Sequence, residues 1–600
     1  MTEHEGEEGA MGESLEKLNE NLSRMEALSK RLVAALGQRE GGDAGLSGPG
    51  QELYVKAGLA YWQDMMANPA KLMEAQVQYW GQTMNHYVEV QREVAKGHLV
   101  LSDQEVPTDK RFSNPLWRTH PYFNMVRNQY QISAQTIAKA VADLEGLEPK
   151  EKQRVAFFAN QIIDLLSPTN YLATNPDALE RAVETEGESL VQGLENLVRD
   201  VESQHGRMMP TLADPKAFTI GENIATSKGS VVFRNELLEL IQYAPSTETV
   251  HKTPLIIFPP WINKFYILDL KPQNSLIKWV VDQGYTLFVV SWKNPDASYA
   301  DVGLEDYVEK GYLAAFDQAK EITGEPQINA VGYCIAGTTL SMALALLKKR
   351  GDTSVKSATF FTTLTDFSER GEFTPFLEDD FVAAIERQVQ VDGILDSHYM
   401  SKTFSFLRAN DLVYGPAVRS YMMGEAPPAF DLLFWNGDST NLPGKMAIQY
   451  LRGLCQGNAL ADGGFDMLGE TLTLDGVTVP VCAIACQADH IAAWKDSFRG
   501  ITRMASKNKT FILSESGHIA GIVNPPSKKK YGHYTNPGVK GAADDWLAGA
   551  QYNEGSWWPL WETWLAKRSG AMIPARKPGA SGRDILAPAP GTYVLGASSD

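Results

Sequence analysis

From residue 254 onward the chain alternates between short apolar runs and amphipathic stretches. "PLIIFPP" (254–260) is continuously apolar, as expected of a strand buried on both faces. "SLIKWVVDQG" predicts a short helix ending at Gly284, and "YTLFVVSW" (285–292) the next strand. "LEDYVEKGYLAAFDQAKEIT" predicts an amphipathic helix and "QINAVGY" a strand leading into Cys334. "IAGTTLSMALALLKKRG" then predicts a helix, stopped by Lys348, Lys349, Arg350 and Gly351. "KSATFFTTLTD", "VTVPVCAIACQAD" and "KTFILSES" are further strands. This order predicts a mostly parallel sheet with helices on both faces.

Upstream the period is helical. Residues 12–37 predict a polar amphipathic helix, followed by a Gly-rich linker ending near Gly50. A second helical region covers 51–98, interrupted at Asn68-Pro69. It carries Tyr54, Tyr61, Trp62, Tyr79, Trp80 and Tyr87, a set that suits either internal packing or docking to an apolar partner. Residues 120–203 continue helical, with a helix start at Asn175-Pro176. From about 218 a meander of short strands begins. Three divisions follow: an acidic, poorly ordered segment over 1–50, a helical domain over 51–215, and a catalytic domain over 216–600. Within the last, the irregular aromatic stretch 368–465 is an expected cap over the sheet. The Trp-rich "GSWWPLWETWLAKRSG" and a Pro/Gly/Ser tail along the surface end the chain.

Composition narrows the function. The formal charge of −18 argues against a nucleic-acid partner and requires local positive charge wherever an anionic substrate binds. The four cysteines, Cys334, Cys455, Cys482 and Cys486, are too sparse for a disulfide scaffold and suit a reducing, cytoplasmic setting. "MTEHEGEEGAMGE" has no apolar run, so no signal peptide is expected, and no apolar stretch is long enough to predict a transmembrane helix. Cys482 and Cys486 share one face of a strand without a second ligand pair, and read with Cys455 as buried apolar thiols. No histidine spacing suggests a metal site.

"GYCIAGT" (332–338) has the form of a nucleophile elbow, a tight strand-to-helix turn whose neighbours must be small. The following helix aims its N-terminal amides at the site, with the Ile335 backbone N–H as first oxyanion donor. In an α/β-hydrolase order the acid and base come later. Asp489 ends one strand and His518 follows the last, both at C-terminal strand ends. His490 competes as base, but its place beside the acid would turn its ring away from Cys334. It reads as a supporting or pocket residue. The loop "WINKFYILDL" offers a second oxyanion donor, the backbone N–H of Trp261 or Ile262, unless Trp261 only packs under the cap.

Beyond these residues the chain resembles the class I polyhydroxyalkanoate synthases over about residues 55 to 590. The resemblance is carried by "NPLWRTHPYF", "SPTNYLATNPDALERAVETEGESLVQGLENL", "PLIIFPPWINKFYILDL", "GYCIAGT", "NDLVYGPAV", "FDLLFWNGDSTNLPG", "QADHIAAW" and "SGHIAGIVNPP". It implies an α/β-hydrolase fold with a cap insertion behind a helical N-terminal domain. It implies polymerisation of (R)-3-hydroxyacyl-CoA, of three to five carbons, with Cys334 holding the growing chain and Asp489 and His518 as its partners. No cofactor or metal is implied: the CoA thioester is substrate and CoA the product. A homodimer, a place at the surface of polyester granules and contact with phasins follow from the same resemblance. One residue departs from the family box G-x-C-x-G-G: Ala336 stands for the first glycine of the closing pair, where a helical backbone accepts it. A cysteine-dependent hydrolase (thioesterase or depolymerase) and a non-catalytic granule protein are the alternatives. The triad alone does not separate the hydrolase from the synthase, and an intact Cys, Asp and His argues against the non-catalytic reading.

Overall fold

The computed structural model describes residues 2–37, Tyr79, Gly81, Thr83, Met84, Val88, 109–204, 206–369, 371–579 and 582–596. The chain divides into two compact units: residues 1–214 with 402–428, and residues 215–401 with 429–600.

The first unit is helical. Its described helices include α1 (Thr2–Gly37), α2 (Pro121–Ala142), α3 (Pro149–Leu165), α4 (Pro176–Glu184) and α5 (Glu188–Ser203). Helix α4 starts where Asn175 accepts the Ala178 N–H on its side chain, which satisfies an amide that helix geometry leaves free. Helix α1 covers most of the 1–50 segment for which poor order is expected. Leu28 is buried with Val191 and Val198 of α5, while Arg24 pairs with Glu188 and Glu195 and Arg31 with Glu202. These half-exposed pairs contribute little each, so the buried Leu28 is the larger anchor, at about 1.5–3 kcal/mol. Most of the aromatic set over 51–98 lies outside the described residues, and Tyr79 accepts a hydrogen bond from Gln129.

Residues 402–428 fall inside the expected cap, yet they belong to this helical unit. Asn196 donates to the carbonyls of Ser420 and Glu425, Tyr421 donates to Asp200, and Gln161 donates to the carbonyl of Phe406. Gly193 on α5 faces the Tyr421 carbonyl so closely that a methyl group there would lie 2.1 Å from its oxygen.

The second unit is built on an eleven-stranded sheet. In chain order its strands are β1 (Gly229–Arg234), β2 (Leu238–Tyr243), β3 (Leu255–Phe258), β4 (Leu287–Trp292), β5 (Ile328–Tyr333) and β6 (Val355–Phe361), then β7 (Val481–Cys486), β8 (Lys509–Ser514), β9 (His533–Thr535), β10 (Gln551–Asn553) and β11 (Ala587–Pro588). Their spatial order is β10-β9-β8-β7-β6-β5-β3-β4-β2-β1-β11. The run from β8 to β4 is parallel, and the flanking strands at both edges are antiparallel. This is the α/β-hydrolase fold. The continuous apolar runs of the sequence are the central strands β3, β4, β5 and β7, buried at every position.

Helices α6 (Leu276–Asp282), α7 (Ile335–Lys349), α8 (Trp494–Arg503) and α9 (Trp558–Ala566) belong to this unit. Two features differ from the sequence pattern. The stretch 304–323 contains a π-helical segment, Tyr307–Leu313, whose wider turn lets Tyr307, Val308, Gly311 and Tyr312 all point inward. The Pro/Gly/Ser end lies at the surface as expected, but the tryptophans ahead of it are buried and short pieces of the end add to sheet edges. Trp557, Trp558, Trp561 and Trp564 are core residues, β11 pairs with β1, and Met572–Pro574 pairs with 249–251.

Candidate active site

Strand order reverses around β3, with β4 on one side and β5 on the other, so loops at the C-terminal ends splay apart there and leave room for a site. Cys334 stands at this point, between β5 and α7, with φ +56° and ψ −126°. A side chain in this region costs on the order of 1–3 kcal/mol and persists only where its surroundings enforce it. The enforcing contacts are visible. The Cys334 N–H donates to the Phe361 carbonyl on β6 at 2.8 Å, and the Gly337 N–H donates to the Cys334 carbonyl at 2.9 Å. A methyl at Gly332 would sit 2.5 Å from the Gly337 Cα, and one at Gly337 would sit 2.1 Å from Thr363 Oγ1. Both glycines are therefore fixed by space. Ala336 is different: it lies in the first turn of α7, fully buried, and its carbonyl accepts from the Tyr312 hydroxyl.

Asp489 follows β7, and both carboxylate oxygens are engaged. Oδ1 accepts from the N–H groups of Ile491 and Ala492, each at 2.8 Å, and Oδ2 lies 2.7 Å from His518 Nδ1. His518 is buried and close enough to Cys334 for the two to interact electrostatically. Burial alone would lower the His518 pKa, but the charges of Asp489 and Cys334 and the hydrogen bond to Asp489 outweigh it, pushing the value up to about 10. The structure thus brings Cys334, Asp489 and His518 together. His490 is half-buried on the turn beside Asp489.

The loop that carries His518 is held from beneath by contacts the sequence pattern did not reveal. Trp557 and Trp558 donate from their indoles to the carbonyls of Gly521 and Ile522 at 2.7 and 2.8 Å. Cys486 fills the space under Gly521, where a methyl would meet its sulfur at 2.4 Å. Tyr333, one residue before the elbow, stacks on the His518 ring and donates to its carbonyl. Cys455, Cys482 and Cys486 are buried thiols. Burial pushes the Cys482 and Cys486 thiols well up, so neither competes with Cys334 as a nucleophile.

Ile335 takes the first position of α7, where helix geometry leaves its amide without an intrahelical acceptor. The Trp261–Lys264 loop after β3 is clamped by "WNGDST" (435–440). Thr440 donates its hydroxyl to the Trp261 carbonyl at 2.8 Å and its N–H to the Ile262 carbonyl at 3.1 Å. Trp435 donates to the Lys264 carbonyl at 2.7 Å, and Lys264 pairs with Asp438 at 2.6 Å. Tyr266 donates to the same Asp438. These contacts fix the backbone of the loop, while the Trp261 ring packs edge-on to Tyr450 and donates to Thr339. The sequence motif was visible; its partner was not, because 171 residues separate Trp435 from Lys264.

Comparison with known proteins adds the family. The model for "Poly-beta-hydroxybutyrate polymerase (PhaC) N-terminus" matches residues 108–280, and an alpha/beta hydrolase fold model matches 254–525. The poly(3-hydroxyalkanoate) polymerase of Methylorubrum extorquens is 42% identical over 492 residues, 82% of this chain and 81% of the relative. The polymerase subunit PhaC of Rhizobium meliloti (strain 1021) is 38% identical over 584 residues, 96% of this chain and 95% of the relative. The chain belongs to the poly(3-hydroxyalkanoate) polymerase family. It is an acyltransferase by that membership. A further member, subunit PhaC of Cupriavidus necator, is 41% identical over 496 residues, 81% of this chain and 83% of the relative. Among the described residues no helix is long and apolar enough to cross a membrane.

Proposed function

We propose that the protein polymerises short-chain (R)-3-hydroxyacyl-CoA, through an acyl-Cys334 thioester and with release of CoA. The observation that carries this reading is the juxtaposition of a strained elbow cysteine with a buried His518 whose Nδ1 is tied to Asp489. That bond leaves Nε2 as the nitrogen for Cys334. In the first half-reaction His518 takes the thiol proton and the sulfur attacks the thioester carbonyl. The Ile335 N–H and an N–H of the Trp261–Ile262 segment hold the tetrahedral oxyanion. Collapse breaks the carbon–sulfur bond to CoA, which leaves with the proton from His518. In the second half-reaction the 3-hydroxyl of another acyl-CoA gives its proton to His518 and attacks the acyl-Cys334 carbonyl. An ester forms and Cys334 regains the proton. The extended chain, now on CoA, reacylates Cys334 and frees CoA. One elbow cysteine per chain thereby suffices.

Water must lose to the incoming hydroxyl. Trp261, Tyr307, Tyr450 and Phe367 form a contiguous set of rings, and Tyr450 lies near enough to Cys334 to feel its charge. An apolar wall of this kind disfavours water at the acyl-enzyme. The same proposal places the enzyme in the cytoplasm at the polyester surface, as a homodimer accessible to phasins, with His490 as a supporting residue.

The test uses purified protein and (R)-3-hydroxybutyryl-CoA, with CoA release and acyl fate followed together and Cys334→Ala as control. CoA release with insoluble polyester, lost in the variant, is expected. CoA release with only free 3-hydroxybutyrate would give the reaction to water and the hydrolase reading. CoA release by the variant would remove Cys334 from the chemistry.

A further inference from the structure

An acyl-CoA carries several negative charges on its nucleotide end, and this chain has a formal charge of −18. Positive charge must therefore be free somewhere on the rim of the site. On the loops that leave the C-terminal ends of the parallel strands and at the first turn of α8, the described cations are mostly engaged. Lys264 pairs with Asp438, Lys271 with Asp431, and Lys495 with Asp544. Lys293 lies over the rings of Tyr299 and Tyr593.

The connection from β8 to β9 breaks this pattern. It carries His518 and then three consecutive lysines, Lys528, Lys529 and Lys530, all exposed. Among the described residues no carboxylate lies within ion-pair distance of any of them. Lys530 rests over the Tyr531 ring, 4.6 Å from its centre. Glu515, an acid of the same connection, accepts instead from the Gly532 N–H and the Tyr552 hydroxyl. Ser514 at the end of β8 pairs with His533 at the start of β9, so the lysines project from the sheet end that holds Cys334 and Asp489. The loop is tied down: Glu515 N–H donates to the Gly532 carbonyl, and Asn524 donates to the Tyr531 carbonyl. The lysines lie between β8 and β9, three to four strand steps from β5, or roughly 14–19 Å at about 4.8 Å per step. That distance matches the role of the pantetheine arm, which keeps the phosphates of an acyl-CoA well away from its thioester.

We propose that Lys528, Lys529 and Lys530 form the docking site for the diphosphate and 3′-phosphate of the acyl-CoA. The inference rests on the acyl-CoA reading above. Exposed ammonium groups suit it, because a site that releases CoA at every cycle must hold phosphates by many weak contacts.

The test is the triple variant K528Q/K529Q/K530Q, whose exposed side chains leave the core untouched. With (R)-3-hydroxybutyryl-CoA, KM is expected to rise roughly tenfold, since each exposed pair is worth a modest factor, with kcat within about twofold. With the N-acetylcysteamine thioester, which lacks phosphates, both constants stay unchanged. Calorimetric binding of adenosine 3′,5′-bisphosphate is expected to weaken by a similar factor and to fall with added salt in the parent protein. An unchanged KM for the CoA thioester, or an equal rise with the short thioester, would overturn the proposal. If the parent turns over neither thioester, the functional reading falls, and the nucleotide titration then decides the lysines: equal binding or no binding in both proteins removes them.

Discussion

Asp489→Asn isolates the charge on the candidate acid without changing its shape. In the parent, Asp489 Oδ1 accepts two backbone N–H groups at 2.8 Å and Oδ2 faces His518 Nδ1 at 2.7 Å. An asparagine keeps its carbonyl oxygen on the two N–H groups, which places its NH2 against Nδ1. Two donors cannot share that contact, so the His518 proton moves to Nε2. Nε2 then presents a hydrogen to Cys334 and no longer accepts one. The size of the effect follows from His518, whose pKa stands at about 10 against an ordinary 6.5. That gap is on the order of 5 kcal/mol of preference for the protonated ring. With the carboxylate gone, burial is opposed by Cys334 alone and the pKa falls. If most of the preference is lost from the transition state, CoA release slows on the order of 10³–10⁴-fold. The assay is initial CoA release at saturating (R)-3-hydroxybutyryl-CoA from pH 6 to 10, beside the rate of Cys334 alkylation. Thermal melting checks that the retained N–H contacts preserve the fold. A variant that melts normally and keeps its rate within about threefold would refute the reasoning, because neither the tautomer nor the charge would then matter to Cys334.

Thr440→Val keeps the shape but deletes the hydroxyl that holds the Trp261 carbonyl. It is expected to lower kcat about tenfold with little change in KM, and Thr440→Ser to restore most of it, which steady-state kinetics on the two variants checks. Gly337→Ala drives a methyl into Thr363 at 2.1 Å, within a turn already strained at Cys334. It is expected to destabilise by about 1–3 kcal/mol in urea unfolding, and Ala336→Gly, a loss of helix propensity alone, by no more than about 1 kcal/mol. The raised pKa of His518 contributes stability that is fully present below pH 6.5 and lost as pH rises through about 10. Unfolding free energies of the parent and His518→Gln are therefore expected to converge between pH 6.5 and about 10; a constant gap would contradict the linkage.

Much of the second unit was legible because its central strands are buried on both faces and bounded by turns, which leaves "PLIIFPP", "YTLFVVSW" and "VCAIAC" as unbroken apolar runs. Cys334, Asp489 and His518 could be placed at strand ends for the same reason, and the structure sets the latter two 2.7 Å apart. Other features depend on partners far along the chain. The π-helical turn at Tyr307–Leu313 exists to bury four inward residues against the sheet, and an amphipathic period does not announce it. Trp557 and Trp558, at the start of α9, read as a tail until the carbonyls of Gly521 and Ile522 supply their acceptors. The Thr440 clamp shows the same limit, since a hydrogen bond to a backbone carbonyl leaves no trace in the partner's residue type. Residues 402–428 read as part of the cap because sequence order cannot reveal that Asn196 and Asp200 are waiting for Ser420 and Tyr421.

That last arrangement bears on how the protein is made. A nascent chain emerging from the ribosome presents residues 1–214 long before Ser420 and Tyr421 exist. Until then the buried Asn196 amide and Asp200 carboxylate lack those partners, and the close groove at Gly193 has nothing to receive. The helical unit can complete its packing only after β1 to β6 and the elbow cysteine have been synthesised. Folding that usually proceeds from the N-terminus is here obliged to wait: a chain released at residue 214 would leave the Asn196 amide without the Ser420 and Glu425 carbonyls, while Asp200 would still accept from Thr211.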